Sequence, residues 1–318
     1  MIAHAEVIAP KVLVITMFSE ETKPWLDNLK LPKHITVPGL AKSAPDVACN
    51  DDLCVMTTTM GFANAAASTA AVALSDKFDL SKTYFIVAGI AGIDPSKGTL
   101  GSAAWADYVV DGGLFHRMAA SEVPAGWTST VVELGAKAPG EKQVWGAGTE
   151  VYEMNKALLD AALAASRNVA LADGETAAAY RTLYSQPVAK AKPAVTSCTT
   201  VSADTYWHGA GVATELAAHA KLLTDGKADY CTSQMEDNAT LAALSRAAEA
   251  GRLDFNRIAV LRTASNFDRP HEGQNTAESL TAKSGGFGPA TQNAFLVGNA
   301  LAQDIVANWG RYQAGLTE

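Results

Sequence analysis

Short apolar runs alternate with longer segments of helical period along most of this chain. The runs are rich in β-branched residues, which favour strands, and they span 11–18, 53–60, 84–92, 103–110, 194–202 and 257–263. The segments of helical period span 64–75, 151–165, 210–223, 236–250 and 290–309. When strands alternate with helices along a chain, the helices cover both faces of the sheet. This order therefore predicts an α/β fold with a mostly parallel sheet.

Short segments that contain polar residues, glycine or aromatic residues follow the apolar strands. In open α/β sheets, ligands bind beyond the carboxyl ends of the strands. We therefore expect a ligand site to be built from six short segments: 19–21, 60–62, 88–92, 202–207, 235–236 and 265–270.

Charge and length limit the classes of partner. The 318 residues include 33 acidic and 25 basic side chains, which gives a net charge of −8 without a clustered run of Lys or Arg. Such a surface repels polyphosphate, so we expect no binding to nucleic acid. No apolar run approaches the roughly 18 residues that cross a bilayer. We expect one domain over 1–318, with an irregular elaboration at about 112–193.

Four cysteines are candidates for disulfides. Cys49 and Cys54 would close a short loop, which leaves Cys198 and Cys231 for a second pair; four cysteines allow three connectivities, and four buried free thiols are the alternative. Two disulfides would favour a periplasmic or secreted protein. The opening lacks the regions of an intact signal peptide, but residues 3–5 match a small-x-small cleavage site. The N-terminus of a cytoplasmic protein explains this opening equally well.

Common signatures of metal and cofactor sites are absent from the sequence. The six histidines have no metal-ligand spacing, and the glycine-bearing segment 89–99 departs from phosphate-loop and dinucleotide patterns, so it reads as a tight turn after a strand. We expect no metal and no cofactor, with phosphate as an optional co-substrate.

The segment 232–244 places two carboxylates, Glu236 and Asp237, where a polar stretch becomes helical. Ser233 and Glu236 fit the S-x-x-E capping box, in which each side chain accepts from the backbone N–H of the other residue. The alternative is that these carboxylates hold a ligand. The local sequence favours capping, and only the segments around it favour the ligand.

Taken together, the segments resemble the purine nucleoside permease family within the nucleoside phosphorylase-I superfamily. Six motifs carry the resemblance in this order: S-E-E (19–21), T-T-M-G (58–61), A-G-I-A-G (88–92), S-A-D-T-Y-W (202–207), Q-M-E-D (234–237) and R-T-A-S-N (262–266). The resemblance covers nearly the whole chain except 112–193. It implies an α/β fold in which a three-layer αβα sandwich surrounds a central mixed β-sheet.

The resemblance also implies a nucleoside site. Met235 and Glu236 would bind ribose, because a carboxylate accepts hydrogen bonds from a vicinal diol and methionine packs softly against the sugar. Tyr206 would stack on the purine. Asn266 replaces the aspartate with which many relatives protonate purine N7; its amide can donate a hydrogen bond but cannot act as an acid.

Candidate catalytic groups follow from the same resemblance. Glu21 lies where the hydrolytic branch carries a glutamate that activates water, and Asp268 is a candidate for a relocated acid. Phosphorylases often carry Arg and Ser or Thr around the loop at 88–92, which this chain lacks. The other candidate contacts of substrate or phosphate are Gly61, Phe62, Gly89, Trp207, Ser265, Arg117 and Arg269. Tyr206 and Trp207 are core aromatic residues in the alternative interpretation.

Three functions are compatible with these residues. The first is binding of a purine nucleoside in uptake or salvage, and the second is cleavage of its N-glycosidic bond by water or phosphate. The third is storage or sensing by a protein that has lost the chemistry of its fold. The Met–Glu pair, the stacking aromatic and Glu21 together favour some catalysis. A purine nucleoside is the expected partner, and a homo-oligomer is compatible with the sequence.

Overall fold

A computed structural model describes residues 7–316; residues 1–6, which include the cleavage-site pattern, and 317–318 lie outside the described part. Its strands are β1 (Val12–Thr16), β2 (Lys33–Thr36), β3 (Asp46–Cys49), β4 (Leu53–Thr57), β5 (Tyr84–Ile93), β6 (Ala103–Asp111), β7 (His116–Arg117), β8 (Val131–Val132), β9 (Val151–Glu153), β10 (Val195–Ser202), β11 (Tyr230–Gln234) and β12 (Ile258–Phe267). Its α-helices are α1 (Ser19–Asn28), α2 (Phe62–Ala73), α3 (Lys156–Ser166), α4 (Glu175–Arg181), α5 (Pro187–Lys190), α6 (Ala210–Leu223), α7 (Asp237–Glu249), α8 (Thr276–Leu280), α9 (Phe287–Ala307) and α10 (Trp309–Tyr312).

Ten of the described strands form one mixed sheet. Its order is β11-β10-β6-β12-β5-β1-β4-β3-β2, and β9 joins it by pairing with β6. Strand β12 runs parallel to β5 but antiparallel to β6. Strand β11 pairs in parallel with β10 and antiparallel with the end of β5, so five strands close into a ring. The mixed sheet expected from the resemblance is confirmed.

A glycine permits this ring to close. Gly92 of β5 pairs with Ser233 of β11. A Cβ atom at Gly92 would lie 2.7 Å from the Ser233 hydroxyl and 3.3 Å from both the Asn266 amide nitrogen and the Tyr206 hydroxyl. The A-G-I-A-G segment is therefore closely packed strand, as predicted for 84–92, and the predicted turn follows β5, where the Lys97 N–H donates to the Asp94 carbonyl at 2.9 Å. The close approach at Gly92 brings three polar side chains to one point.

Helices cover both faces of the sheet, as the αβα sandwich requires. On one face α2 packs on α7, and Val72 and Leu241 join the apolar side chains of the sheet in one core. On the other face α9 packs against α1 and α3, with Trp25 and Phe295 in edge-to-face contact at a centroid distance of 5.2 Å. Each such buried side chain contributes about 1.5–3 kcal/mol by leaving water.

The predicted capping box at the start of α7 is wrong. Ser233 lies within β11, a strand that is not among the six predicted ones, and the helix begins only after Glu236, whose side chain makes no capping bond. The Gln234 side-chain oxygen accepts from the N–H groups of Glu236 and Asp237 at 2.9 and 3.1 Å instead. Because an amide takes over this role, the Glu236 carboxylate is free to face a ligand.

Some elements of residues 112–193 belong to the main sheet and its covering helices, and others form a small separate sheet. The predicted helix at 151–165 consists of β9, which pairs with β6, and α3, which begins after an Asn155 cap. Strands β7 and β8 form their own two-stranded sheet. This region is tied to α6 by buried His219, whose Nδ1 lies 2.8 Å from Glu133 Oε1 and whose Nε2 lies 2.8 Å from the Asp111 carbonyl oxygen.

Two disulfides settle the pairing of the cysteines. Cys49–Cys54 joins β3 to β4, and Cys198–Cys231 joins β10 to β11. The alternative of four free thiols is therefore wrong. Both bonds lie within the sheet, and the second links two strands of the closed ring.

We expect the second disulfide to stabilise the fold more than the first. A cross-link removes more conformational entropy from the unfolded chain when it closes a longer loop, with a logarithmic dependence on loop length, and the sequence separations are 33 and 5 residues. The model for loop entropy gives about 4 and about 2 kcal/mol respectively. Denaturant titration of Cys198→Ala/Cys231→Ala and of Cys49→Ala/Cys54→Ala measures both, and an equal or reversed loss would contradict the expected order.

Candidate functional site

A cavity of about 440 Å³ is lined by residues of β5, β11 and β12 and by residues that follow β1, β4 and β10 in the chain. We call it the nucleoside cavity, after the ligand that the resemblance implies. The sequence-predicted residues that line it are Glu21, Tyr206, Met235, Glu236, Ser265 and Asn266. The expected convergence of the segments that follow the strands therefore holds for these six residues.

Glu236 is held at one end of the cavity by a backbone donor and a cation. Its Oε1 accepts from the Gly61 N–H at 3.1 Å, and its Oε2 lies 3.4 Å from Arg262 Nη2. Gly61 has a φ of 91°, a conformation that favours glycine at the turn between β4 and α2. Burial raises the pKa of the Glu236 carboxyl, while Arg262 and the Gly61 N–H oppose that rise. Each oxygen keeps a lone pair for a sugar hydroxyl.

Arg262 organises this end of the cavity, and the sequence analysis missed it. The residue is 1% exposed, in the middle of β12. Its Nε donates to both Asp237 oxygens at 3.2 and 3.1 Å, its Nη2 donates to the same carboxylate, and its Nη1 donates to the Ile90 carbonyl at 3.0 Å. A guanidinium inside an apolar strand requires such partners, so the single charge within the apolar run 258–263 was the available signal.

Glu21 lies beside this network in the first turn of α1. Its Oε2 accepts from the Met17 N–H at 2.8 Å and its Oε1 from the Ile90 N–H at 2.7 Å. Burial raises the pKa of Glu21 to about 7, and the charge of Glu236 adds to the rise, whereas Arg262 and the two backbone donors lower it. A carboxyl that titrates near neutrality suits proton transfer at physiological pH.

Gly89 allows Glu21 and Arg262 to approach each other. A Cβ atom at Gly89 would lie 2.7 Å from Glu21 Oε1, from Arg262 Nη1 and from Met17 Cε. Its lack of a side chain is therefore a requirement of close packing. Gly89 lies beneath these side chains and does not line the cavity itself.

The opposite end of the cavity is formed by Tyr206, Ser265 and Asn266. Asn266 Oδ1 accepts from the Tyr206 hydroxyl at 3.0 Å and from the Ser265 hydroxyl at 2.8 Å. Asn266 Nδ2 donates to the Phe267 carbonyl at 3.0 Å. A reversed amide would bring two oxygens together, so the Phe267 carbonyl fixes its orientation. One N–H of this amide remains to donate to a ligand.

Two predicted site residues point elsewhere. Trp207 is buried in a core with Tyr230, in agreement with the alternative interpretation of this aromatic residue. Asp268 is 1% exposed and accepts from the Tyr230 hydroxyl and from Arg269 Nε, both at 2.7 Å. Burial raises the pKa of Asp268, and its bonds to Arg269 oppose that rise. Neither residue lines the nucleoside cavity.

Three further candidate contacts, the phosphate candidates Arg269 and Arg117 and the substrate candidate Phe62, also bond to other groups. Arg269 Nη2 lies 2.6 Å from Asp94 Oδ2, and Arg117 Nη2 lies 3.2 Å from Glu215 Oε2. Phe62 donates its backbone N–H to Asp204 at 2.8 Å. None of these side chains lines the nucleoside cavity.

The charge around the cavity is mainly negative. Three glutamates, Glu20, Glu21 and Glu236, line it against one cation, Arg262. Four of the five N–H groups of that guanidinium donate to Asp237, Glu236 and Ile90. No group of three or more His, Cys, Asp or Glu residues that could hold a metal ion occurs within residues 7–316.

Comparison with known sequences finds relatives over nearly the whole chain. The family model described as purine nucleoside permease (NUP) matches residues 9–317. A purine nucleoside permease of Candida albicans (strain SC5314) is 37% identical over 314 residues, which cover 96% of this chain and 77% of the relative. A probable purine nucleoside permease of Schizosaccharomyces pombe is 36% identical over 322 residues, which cover 97% and 92%.

Solved structures share the fold at much lower identity. A 5′-methylthioadenosine/S-adenosylhomocysteine nucleosidase from Neisseria meningitidis aligns with a TM-score of 0.54 at 16% identity, over 92% of this chain and 97% of its own. Futalosine hydrolase of Helicobacter pylori aligns with a TM-score of 0.56 at 12% identity, over 94% and 98%. These structures show a nucleoside phosphorylase-I fold, and the sequence matches show that this chain belongs to the purine nucleoside permease family.

Proposed function

We propose that this chain binds a purine nucleoside in the nucleoside cavity and hydrolyses its N-glycosidic bond. The observation that carries the proposal is that Glu21, a buried carboxyl with a pKa of about 7, shares one cavity with Glu236, Tyr206 and Asn266. The fold shared with nucleosidases and the family membership support the same conclusion.

In the proposed complex the sugar lies at the Glu236 end and the purine at the Asn266 end. The ribose diol donates to the Glu236 carboxylate, and half-buried Met235 packs against the sugar ring. The purine stacks on the Tyr206 ring, which is 40% exposed and therefore available to a ligand. The remaining N–H of Asn266 donates to purine N7.

The proposed reaction proceeds by departure of the base and capture of the sugar by water. As the C1′–N9 bond breaks, its electron pair moves into the purine, where the Asn266 N–H stabilises the charge that develops at N7. The negative charge of Glu236 stabilises the positive ribosyl group. Water held by Glu21 forms the new C1′–O bond and gives a proton to that carboxylate. A proton from solvent neutralises the departing purine anion. The products are ribose and a free purine.

Water is a better acceptor here than phosphate. The three glutamates that line the cavity repel a phosphate dianion, and Arg262 is already committed to protein acceptors. A neutral water molecule meets no such repulsion. The absent phosphate ligands therefore support hydrolysis over phosphorolysis.

Binding without cleavage is the second candidate function. Asn266 cannot protonate the departing base, which favours a protein that holds a nucleoside during uptake or salvage. We place either activity in the periplasm or outside the cell, because two disulfides are typical of exported proteins. None of the helices in residues 7–316 has the length and apolar character of a membrane span.

Analysis of products separates these functions. We expect inosine, guanosine or adenosine to yield free base and ribose at the same rate with and without phosphate. Chromatography of the products gives the measurement. Free base that forms only with phosphate would establish phosphorolysis, and saturable calorimetric binding without any free base would establish the second candidate.

We expect activity to depend on the ionisation of Glu21. A general base must be deprotonated, so kcat/KM should fall as the pH drops below about 7 and should level off above it. Glu21→Gln should lower kcat by about 10²–10⁴-fold while inosine still binds. Glu20→Gln, which changes an exposed neighbour, is the matched control. A pH profile that is flat between 5 and 8, or a Glu21→Gln enzyme of normal rate, would contradict this role.

We expect Glu236 to determine affinity for the sugar. Glu236→Gln keeps the shape of the side chain but removes its charge, and the loss of charged hydrogen bonds should weaken inosine binding by about 10–100-fold. Binding of hypoxanthine should not change, because the free base lacks the diol. Calorimetry with both ligands makes the comparison, and thermal unfolding checks that the variant is folded. Equal affinity of parent and variant for inosine would remove the assignment of the sugar site.

A further inference from the structure

A second cavity, of about 410 Å³, adjoins the nucleoside cavity. The two share Tyr206, Ser265, Asn266 and Phe287, whereas Glu236 lines only the first. The second cavity therefore lies beyond the base end, away from the sugar carboxylate. Its volume is within the range of about 300–1,000 Å³ that is usual for small-molecule sites, so it can hold more than water.

The second cavity differs in charge from the first. No Asp or Glu is among its lining residues, whereas three glutamates line the nucleoside cavity. Lys283 lines it and makes no hydrogen bond or ion pair within the described part of the chain. His208 and Ser279, joined at 2.9 Å, add polar groups to its wall. On a chain of net charge −8, this is a place for an anionic group.

The amide of Asn266 is compatible with a substituted base. Its oxygen already accepts from the hydroxyls of Tyr206 and Ser265, so only an N–H is left for the purine. The Asn266 amide therefore makes no use of the two hydrogens on the exocyclic nitrogen at position 6 of adenine. Replacement of one of them by carbon therefore leaves no protein acceptor unpaired.

We infer that this site accepts purine nucleosides with a substituent on the exocyclic nitrogen at position 6, and that Lys283 favours a substituent that ends in a carboxylate. The inference rests on the proposed function, in which N7 faces Asn266. Position 6 and N7 lie on the same edge of the purine, on either side of C5. A substituent at position 6 therefore passes Asn266 and Ser265, which line both cavities, and enters the second one.

Calorimetry tests the inference with three ligands. It uses the Glu21→Gln variant, which should leave the nucleosides uncleaved during the measurement. The three ligands are adenosine, N6-benzyladenosine and N6-(1,2-dicarboxyethyl)adenosine. We expect both substituted nucleosides to bind at least as tightly as adenosine, and the dicarboxylate to bind about two- to fivefold more tightly than the benzyl compound through Lys283.

Two variants separate the contributions of volume and charge. Lys283→Met keeps an apolar stem but removes the charge. It should abolish the tighter binding of the dicarboxylate relative to the benzyl compound without changing the affinity for the benzyl compound, while Lys283→Arg should preserve that difference. Ala282→Trp places a large ring at the second cavity, which Ala282 lines without reaching the first. It should weaken both substituted ligands at least tenfold and leave adenosine unchanged.

The outcomes distinguish this inference from the proposed function. If adenosine itself does not bind, the proposed function fails. If adenosine binds but both substituted nucleosides bind more than tenfold more weakly, the second cavity does not take the substituent. If Lys283→Met leaves the preference for the dicarboxylate intact, the role of that lysine is overturned.

Discussion

The buried guanidinium of Arg262 holds the candidate site together. It reaches the Asp237 and Glu236 carboxylates and the Ile90 carbonyl, which belong to α7, to the turn before it and to β5. A buried charge persists only when its partners compensate for lost water, and loss of one partner typically costs about 3–5 kcal/mol. The closed ring of strands provides this compensation, because it brings β11 and β12 to β5. The geometry of the cavity is thus a consequence of how one cation is neutralised.

The same cation divides the roles of the carboxylates. Asp237 lies against the guanidinium with both oxygens, whereas Glu236 meets it with one oxygen at 3.4 Å and Glu21 is bonded only to backbone N–H groups. Burial raises the pKa of the Glu21 carboxyl to about 7, where it can exchange a proton; burial also raises the pKa of Glu236, and Arg262 opposes the rise at both. The contacts of the three acidic residues with one positive charge therefore distinguish a structural partner, Asp237, from the proposed sugar ligand and the proposed proton acceptor.

Sequence patterns predicted what depends on local chemistry. Apolar runs predicted six strands of the sheet, and the residues after them predicted Glu21, Tyr206 and Asn266 as neighbours. Strand β11 was missed because Tyr-Cys-Thr-Ser-Gln lacks an apolar run; its burial comes from closing the ring rather than from its own side chains. The capping box at Ser233 failed for the same reason, since tertiary pairing overrode a local signal. Arg262 was overlooked because its role depends on partners that are distant in sequence.

Uptake and hydrolysis place overlapping demands on this site. A carrier needs hydrogen-bond acceptors for the diol and a flat surface for the base, the roles proposed for Glu236 and Tyr206, and neither role requires bond cleavage. Hydrolysis adds the requirement for a base that is ionised near neutral pH, which a carrier has no reason to retain in a buried position. Placing Glu21 at 1% exposure costs desolvation energy, and Gly89 must lack a side chain to permit it. The proposed hydrolysis explains that cost, because its general base must exchange a proton near neutral pH.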